Sequence, residues 1–326
     1  MTLHSYPEKL DLPKLGSWPE SVHQFEPDAI HALQAAEAAG RPLLVRGEPG
    51  MGKSQLARAA AVATGRLFLA VVVNARTECQ DLQWRFDAVA RLGEAQILAG
   101  ADGSERLSRL QPARFLGPGP LWWALDFESA LAQWQQCHNP AEPIPEQPKD
   151  WTPAKGSVVL IDEIDKADSD LPNSLLETLG NGDFSVPYLG GSVRRASLVP
   201  PPLVVITTNE ERELPAAFLR RCLVLPLSLP EDVAGFLCGR GAAHFPEDHR
   251  DENQRSTKAV REAAARLLIE DRQTALDQGW PPPGQAEYLD LLRAVCAMKP
   301  GDEAGQLGLL DILRRFVLRK SPGQGL

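Results

Sequence analysis

The chain has 326 residues, 43% of them hydrophobic and 24% charged, with 26 Gly and 28 Pro. That length accommodates two domains, and the mixture suits a loop-rich α/β protein, not a disordered segment or a single helical body. A net charge of −9 argues against wholesale nucleic-acid binding. No apolar run approaches the roughly 18 residues of a bilayer crossing, and the opening residues carry no basic stretch leading into an apolar one, so neither membrane insertion nor secretion is expected. Five scattered cysteines with no C-x-x-C pair read as reduced thiols in the cytoplasm, not as a disulfide frame or zinc site.

Residues 1–22 are punctuated by proline and lack periodicity, which predicts an N-terminal arm. Residues 25–40 place Ala29, Ile30, Leu33 and Ala36 at helical spacing, with Gly40 as a stop. Short apolar runs follow at 42–46, 67–73, 157–161, 203–207 and 223–225. Rich in Val, Ile and Leu without alternation, they predict a five-stranded parallel sheet covered on both faces, a three-layer α/β/α arrangement. Residues 139–155, rich in Pro and Glu, read as a loop. Beyond Pro226 only helical patterns remain, at 232–238, 257–278, 285–298 and 307–319. Within them Val260, Ala264, Leu267 and Leu268 share one face, the core of a small all-helical lid. The expected division is an arm at 1–22, an α/β domain at 23–228 and a helical domain at 229–326.

Gly47-Glu48-Pro49-Gly50-Met51-Gly52-Lys53-Ser54 follows the first predicted strand and opens a helical stretch beginning at Gln55. It fits the G-x-x-x-x-G-K-[ST] pattern in the setting that pattern requires. Glycines allow a tight turn whose amide N–H groups converge on phosphate oxygens, and the helix that follows adds its dipole. Lys53 can reach the β- and γ-phosphates of ATP, and the Ser54 hydroxyl can ligate Mg²⁺. These residues, Gly47 through Gln55, are the candidate nucleotide site.

The run 158–161 leads directly into Asp162-Glu163, which puts two carboxylates at the C-terminal edge of a strand, where parallel sheets bind ligands. Asp162 suits holding Mg²⁺ through its water shell, and Glu163 suits polarising an attacking water. Asp165, Lys166 and Asp168 read as the exposed start of the next helix. Cys137 and His138 are neighbours without a third ligand at metal spacing. Trp122-Trp123 reads as packing, and Arg194-Arg195 either as a solvated hairpin or as a contact for a threaded peptide or nucleic acid.

The phosphate loop, Asp162-Glu163 and Thr207-Thr208-Asn209 together resemble an AAA+ ATPase, with the MoxR family of the helix-2-insert clade as the nearest match over residues 25–300. Residues 81–87 followed by 115–121 look like the surroundings of that family's helix-2 insert. Residues 162–168 with 171–177 look like its Walker B strand and following helix. Residues 184–198, with Gly190-Gly191 as turn, are similar to its pre-sensor hairpin, and 214–221 to its arginine-finger helix.

The resemblance implies Asn209 as the sensor orienting the attacking water, and Arg221, or the adjacent Arg220, as a finger reaching a neighbouring subunit. It therefore implies a homo-oligomeric ring, usually a hexamer, that hydrolyses ATP to remodel protein clients like a chaperone. The family's usual partner is a separate von Willebrand factor A domain protein. One departure stands out. The family carries a basic sensor near the start of its third lid helix, whereas residues 279–288 here contain no Arg or Lys. Arg293, further along that helix, is one replacement; a lid weakly coupled to nucleotide is the other. The departure keeps open a nucleotide-gated switch of a defence-type system. An ATP-driven nucleic-acid motor is disfavoured by the acidic balance and the absence of a basic, aromatic-interleaved stripe.

Overall fold

A computed structural model describes residues 4–100 and 102–319. In chain order the elements begin β1 (Lys9–Leu12), β2 (Ser21–Gln24), α1 (Pro27–Ala39), β3 (Leu43–Gly47), α2 (Lys53–Thr64) and β4 (Leu67–Val72). They continue α3 (Cys79–Gln83), β5 (Trp84–Phe86), α4 (Ala88–Ile97), α5 (Gly103–Arg109), β6 (Leu116–Pro118), α6 (Pro120–Leu125) and α7 (Phe127–Gln136). After a long loop come β7 (Ser157–Asp162), α8 (Asp170–Asn181), β8 (Asp183–Val186), β9 (Gly191–Arg194), β10 (Leu203–Thr208), α9 (Ala216–Leu219) and β11 (Leu223–Leu227). The last four are α10 (Val233–His244), α11 (Lys258–Asp277), α12 (Gln285–Met298) and α13 (Glu303–Val317).

By packing, the chain divides into two compact units. The first gathers residues 4–6, Glu26–Arg46 and Leu56–Leu225; the second gathers Pro7–Phe25, Gly47–Gln55 and 226–319.

The first unit is built on a five-stranded parallel sheet in the order β11-β3-β10-β7-β4. β10 is buried along its whole length and β7 up to its last residue, as strands covered on both faces must be. Register aligns Thr208 with Arg46 and Ile206 with Ile161, so β3, β10 and β7 finish level at one edge. Val72 of β4 lies beside Asp162. Helix α1 ends where Gly40 enters the left-handed region at φ 61°, as its sequence position predicts.

β5 and β6 pair antiparallel, with α4 and α5 between them in sequence. Phe86 of β5 stacks on Tyr188 in the turn joining β8 to β9, with ring centroids 3.8 Å apart. The β5–β6 pair and the β8–β9 hairpin are thus joined through aromatic faces. Trp122 and Trp123 of α6 are buried in the core beside Phe184 and Phe127 respectively, so this pair packs the interior.

The second unit has its own apolar core, in which Leu237, Val260, Leu268, Tyr288, Leu292 and Leu310 are buried. Three of its four described helices start on side-chain caps: Asp232 accepts from the Gly235 amide, Thr257 from Val260 and Asp302 from Gly305. Proline spacing does not announce what residues 9–24 do. They form the β1–β2 hairpin, which Arg240 of α10 fastens by donating to the Gln24 carbonyl at 2.7 Å. The buried Asp271 of α11 is bound by Arg314 of α13 at 2.8 Å and by Arg319 at 3.0 Å, which compensates its desolvation.

Candidate functional site

Buried Leu43, Leu44 and Val45 carry the chain along β3 to Gly47, and α2 begins at Lys53 after a five-residue loop. Gly47, Gly50 and Gly52 all have positive φ, at 149°, 79° and 82°. A β-carbon on Gly47 would lie 2.3 Å from the Leu227 carbonyl oxygen, and one on Gly50 2.9 Å from the Ala286 Cβ. Close approach as well as backbone conformation therefore excludes side chains there.

Lys53 is only 6% exposed. Its Nζ donates to the carbonyls of Gly47 at 2.6 Å and Glu48 at 2.8 Å, so the ammonium points into its own loop. Ser54 opens the first turn of α2, where backbone N–H groups have no helical acceptor. Gln55 sends its side-chain amide to the Ser21 hydroxyl at 2.7 Å. The Glu48 carboxylate is paired with Arg272 of α11 at 2.8 Å, and Arg272 also donates to the Pro283 carbonyl at 3.1 Å. Arg293, by contrast, pairs with Asp290 on its own helix. Arg272 is thus a basic side chain set against the glycine-rich loop, and no local sequence pattern announces it.

At the strand ends of the first unit, Thr207 joins the two acids of β7. Its hydroxyl donates to Asp162 Oδ1 and accepts from the Glu163 backbone amide at 2.9 Å. Glu163 itself is left-handed, with φ 60° and ψ 47°. Its Oε1 receives the Asn209 side-chain amide at 3.3 Å, and its Oε2 the Lys166 ammonium at 2.7 Å. This carboxylate raises the Lys166 pKa above its ordinary value, chiefly through the hydrogen bond. Arg46 at the end of β3 pairs with Glu210, which follows Asn209.

Asp165 and Lys166 do not form an exposed helix start. Asp165 is 2% exposed and accepts from the Glu211 amide at 2.9 Å, while Lys166 reaches back to Glu163. A short 3-10 turn, Ile164–Lys166, causes this by bringing Lys166 one turn behind Glu163. The i, i+3 spacing of the two charges was the available signal. Asp168 is exposed as the sequence suggests, and the Lys166 side chain stays 39% exposed while it pairs with Glu163.

Arg220 and Arg221 follow α9 with exposed side chains that form no ion pair or hydrogen bond among the described residues. Their backbone is held: Arg41 donates to the Arg221 carbonyl at 3.0 Å and also to that of Arg220.

A parallel sheet whose strands end in a glycine-rich, lysine-closed loop and an acid pair defines the α/β P-loop class of nucleotide-binding fold. The AAA domain (dynein-related subfamily) family matches residues 42–222, more than half of the chain, and the chain belongs to that family. No curated protein matches the sequence significantly. Among solved structures the chain is similar to a Cytophaga hutchinsonii protein classed by inference as an ATPase, at 12% identity, over 89% of this chain and 79% of that one. The TM-score of that likeness is 0.38, too low to bear on function. Among the described residues no helix is long and apolar enough to cross a membrane.

Proposed function

We propose that this AAA-family protein hydrolyses ATP as a ring of identical subunits in the cytoplasm and uses the energy to remodel protein complexes, in the manner of MoxR proteins. In this reading residues 23–228 bind nucleotide and 229–326 form the lid. The observation that carries it is the treatment of Glu163, whose carboxylate is held by Asn209 next to an Asp162 fixed by Thr207. A carboxylate so aimed is equipped to accept a proton from attacking water, and Asn209 to orient that water.

Gly47 through Gln55 hold the phosphates, with Lys53 leaving the loop carbonyls for the β- and γ-oxygens. The Ser54 hydroxyl and the Asp162 carboxylate are hard oxygen donors suited to Mg²⁺. Among the described residues no three His, Cys, Asp or Glu side chains cluster to hold a metal on their own, which fits a cation completed by phosphate and water. Bound there, Mg²⁺ would neutralise charge developing on the phosphates.

Arg221, with Arg220 beside it, reaches a neighbouring subunit's γ-phosphate, which makes the ring the active unit. The partner is a separate von Willebrand factor A domain protein that presents the client. ATP turnover that rises steeply with protein concentration supports the ring, and turnover independent of concentration contradicts it. Co-expression with A-domain proteins tests the partner: no retained protein and no effect on turnover would remove that part.

A nucleotide-gated switch is favoured instead by the Lys166 ion pair, which occupies the very carboxylate that must act as base. That reading predicts ATP binding with turnover no faster than in Glu163→Gln.

A further inference from the structure

Two cations converge on one residue of the phosphate loop. Lys53 binds the backbone carbonyl of Glu48, and Arg272 binds its carboxylate. Glu48 therefore lies at the end of the loop where the lysine that serves the terminal phosphates resides. We propose that Arg272 is a further nucleotide-binding residue, specific for the triphosphate, and that Glu48 is a built-in competitor holding its guanidinium until a phosphate oxygen replaces the carboxylate. This rests on the ATP-binding reading above.

The surroundings suit a swap. Arg272 is the more fixed partner: its side chain is 17% exposed, against 45% for Glu48. The Pro283 carbonyl braces one of its donors. Its helix is anchored one residue earlier, where Asp271 binds Arg314 and Arg319. The start of α12 is also seated on the loop, with Ala286 against Gly50. Glu48 is free to swing outward and meets a polyanion poorly, so phosphate both repels it and takes its partner. A guanidinium fork matches phosphate oxygens at least as well as a carboxylate. Arg272 thereby supplies the lid cation that residues 279–288 lack, from a different helix. No local sequence pattern reveals it, because the two partners are 224 residues apart.

Calorimetric titration of the full chain with AMP-PNP and with ADP tests this. Arg272→Met is expected to weaken AMP-PNP about tenfold, the loss of one charge-assisted interaction. Glu48→Gln is expected to tighten it about threefold or more, with ADP changing less than about twofold in either variant. In the double variant the gain from Glu48→Gln should vanish, because it passes through the released arginine. Arg272→Lys, which keeps the charge and much of the packing, should retain part of the preference. An unchanged AMP-PNP to ADP ratio in Arg272→Met and Glu48→Gln, with binding still abolished by Lys53→Ala, overturns the swap and leaves the proposed function standing. A double variant that keeps the full gain also overturns it, since Glu48 would then act by repulsion alone. A native chain that binds neither nucleotide overturns the proposed function and the swap together.

Discussion

Glu163 keeps a left-handed backbone, φ 60°, which costs a residue with a β-carbon about 1 kcal/mol or more. The hydrogen bond from its amide to Thr207 offsets that cost and aims the carboxylate at the strand edge. Replacing the acid by its amide removes the base of the proposed reaction and keeps the shape. Glu163→Gln should therefore slow ATP turnover about 10²- to 10⁴-fold with ATP still bound, as single-turnover and binding measurements would report. Thr207→Val keeps the volume but removes the hydrogen bonds that Thr207 donates to Asp162 Oδ1 and accepts from the Glu163 amide. It should cost about 1–3 kcal/mol in unfolding free energy as well as turnover, and a loss of neither would mean that Thr207 only fills space. Gly47→Ala drives a methyl group into the Leu227 carbonyl. A thermal midpoint lowered by several degrees is expected, from about 1–3 kcal/mol of overpacking and strain.

Elements buried on both faces were the most legible in the sequence. The runs of β7 and β10 have no alternation because neither face meets solvent, and that absence predicts their place in the sheet. The place of the glycine-rich loop between β3 and α2, and of the acid pair ending β7, was legible because each is a run of residues adjacent in sequence. The β1–β2 hairpin was not: its strands have four residues each, and its fastening to Arg240 spans 216 residues. Asp165 was not legible because the 3-10 turn Ile164–Lys166 turns its carboxylate inward, and the Lys166 pairing because the same turn carries that lysine back to Glu163. That hairpin and α10 also carry a pH dependence. Burial, aided by Arg240, lowers the His23 pKa to about 3; burial, aided by Arg293, Arg240 and Lys9, lowers that of His244 to about 4. An unfolded histidine protonates near 6.5, so unfolding takes up protons below that pH. Stability should therefore be full above about pH 6.5 and fall as pH drops towards about 4, by at most about 1.4 kcal/mol per pH unit for each histidine. Urea midpoints at pH 7 and pH 5 check this. His23→Gln with His244→Gln should flatten the difference, and an unaltered slope would place the acid sensitivity elsewhere.

At the scale of the whole molecule, the proposed function requires two chains for each turnover: the base Glu163 from one, Arg221 from its neighbour. The exposed side chains of Arg220 and Arg221, without an ion pair among the described residues and above a backbone held by Arg41, are what such an arrangement needs from a single subunit. It also makes a demand that no self-contained site makes. A subunit with a dead base still lends its finger, and a subunit with a dead finger still owns a working base. The most direct measurement is ATP turnover by equal mixtures of Glu163→Gln and Arg221→Ala chains, compared with each alone. Two nearly inactive proteins are expected, whose mixture recovers about a quarter of native turnover, because about one interface in four then pairs an intact base with an intact finger. A mixture no more active than the sum of its parts would contradict a finger supplied in trans, and with it the ring as the active unit.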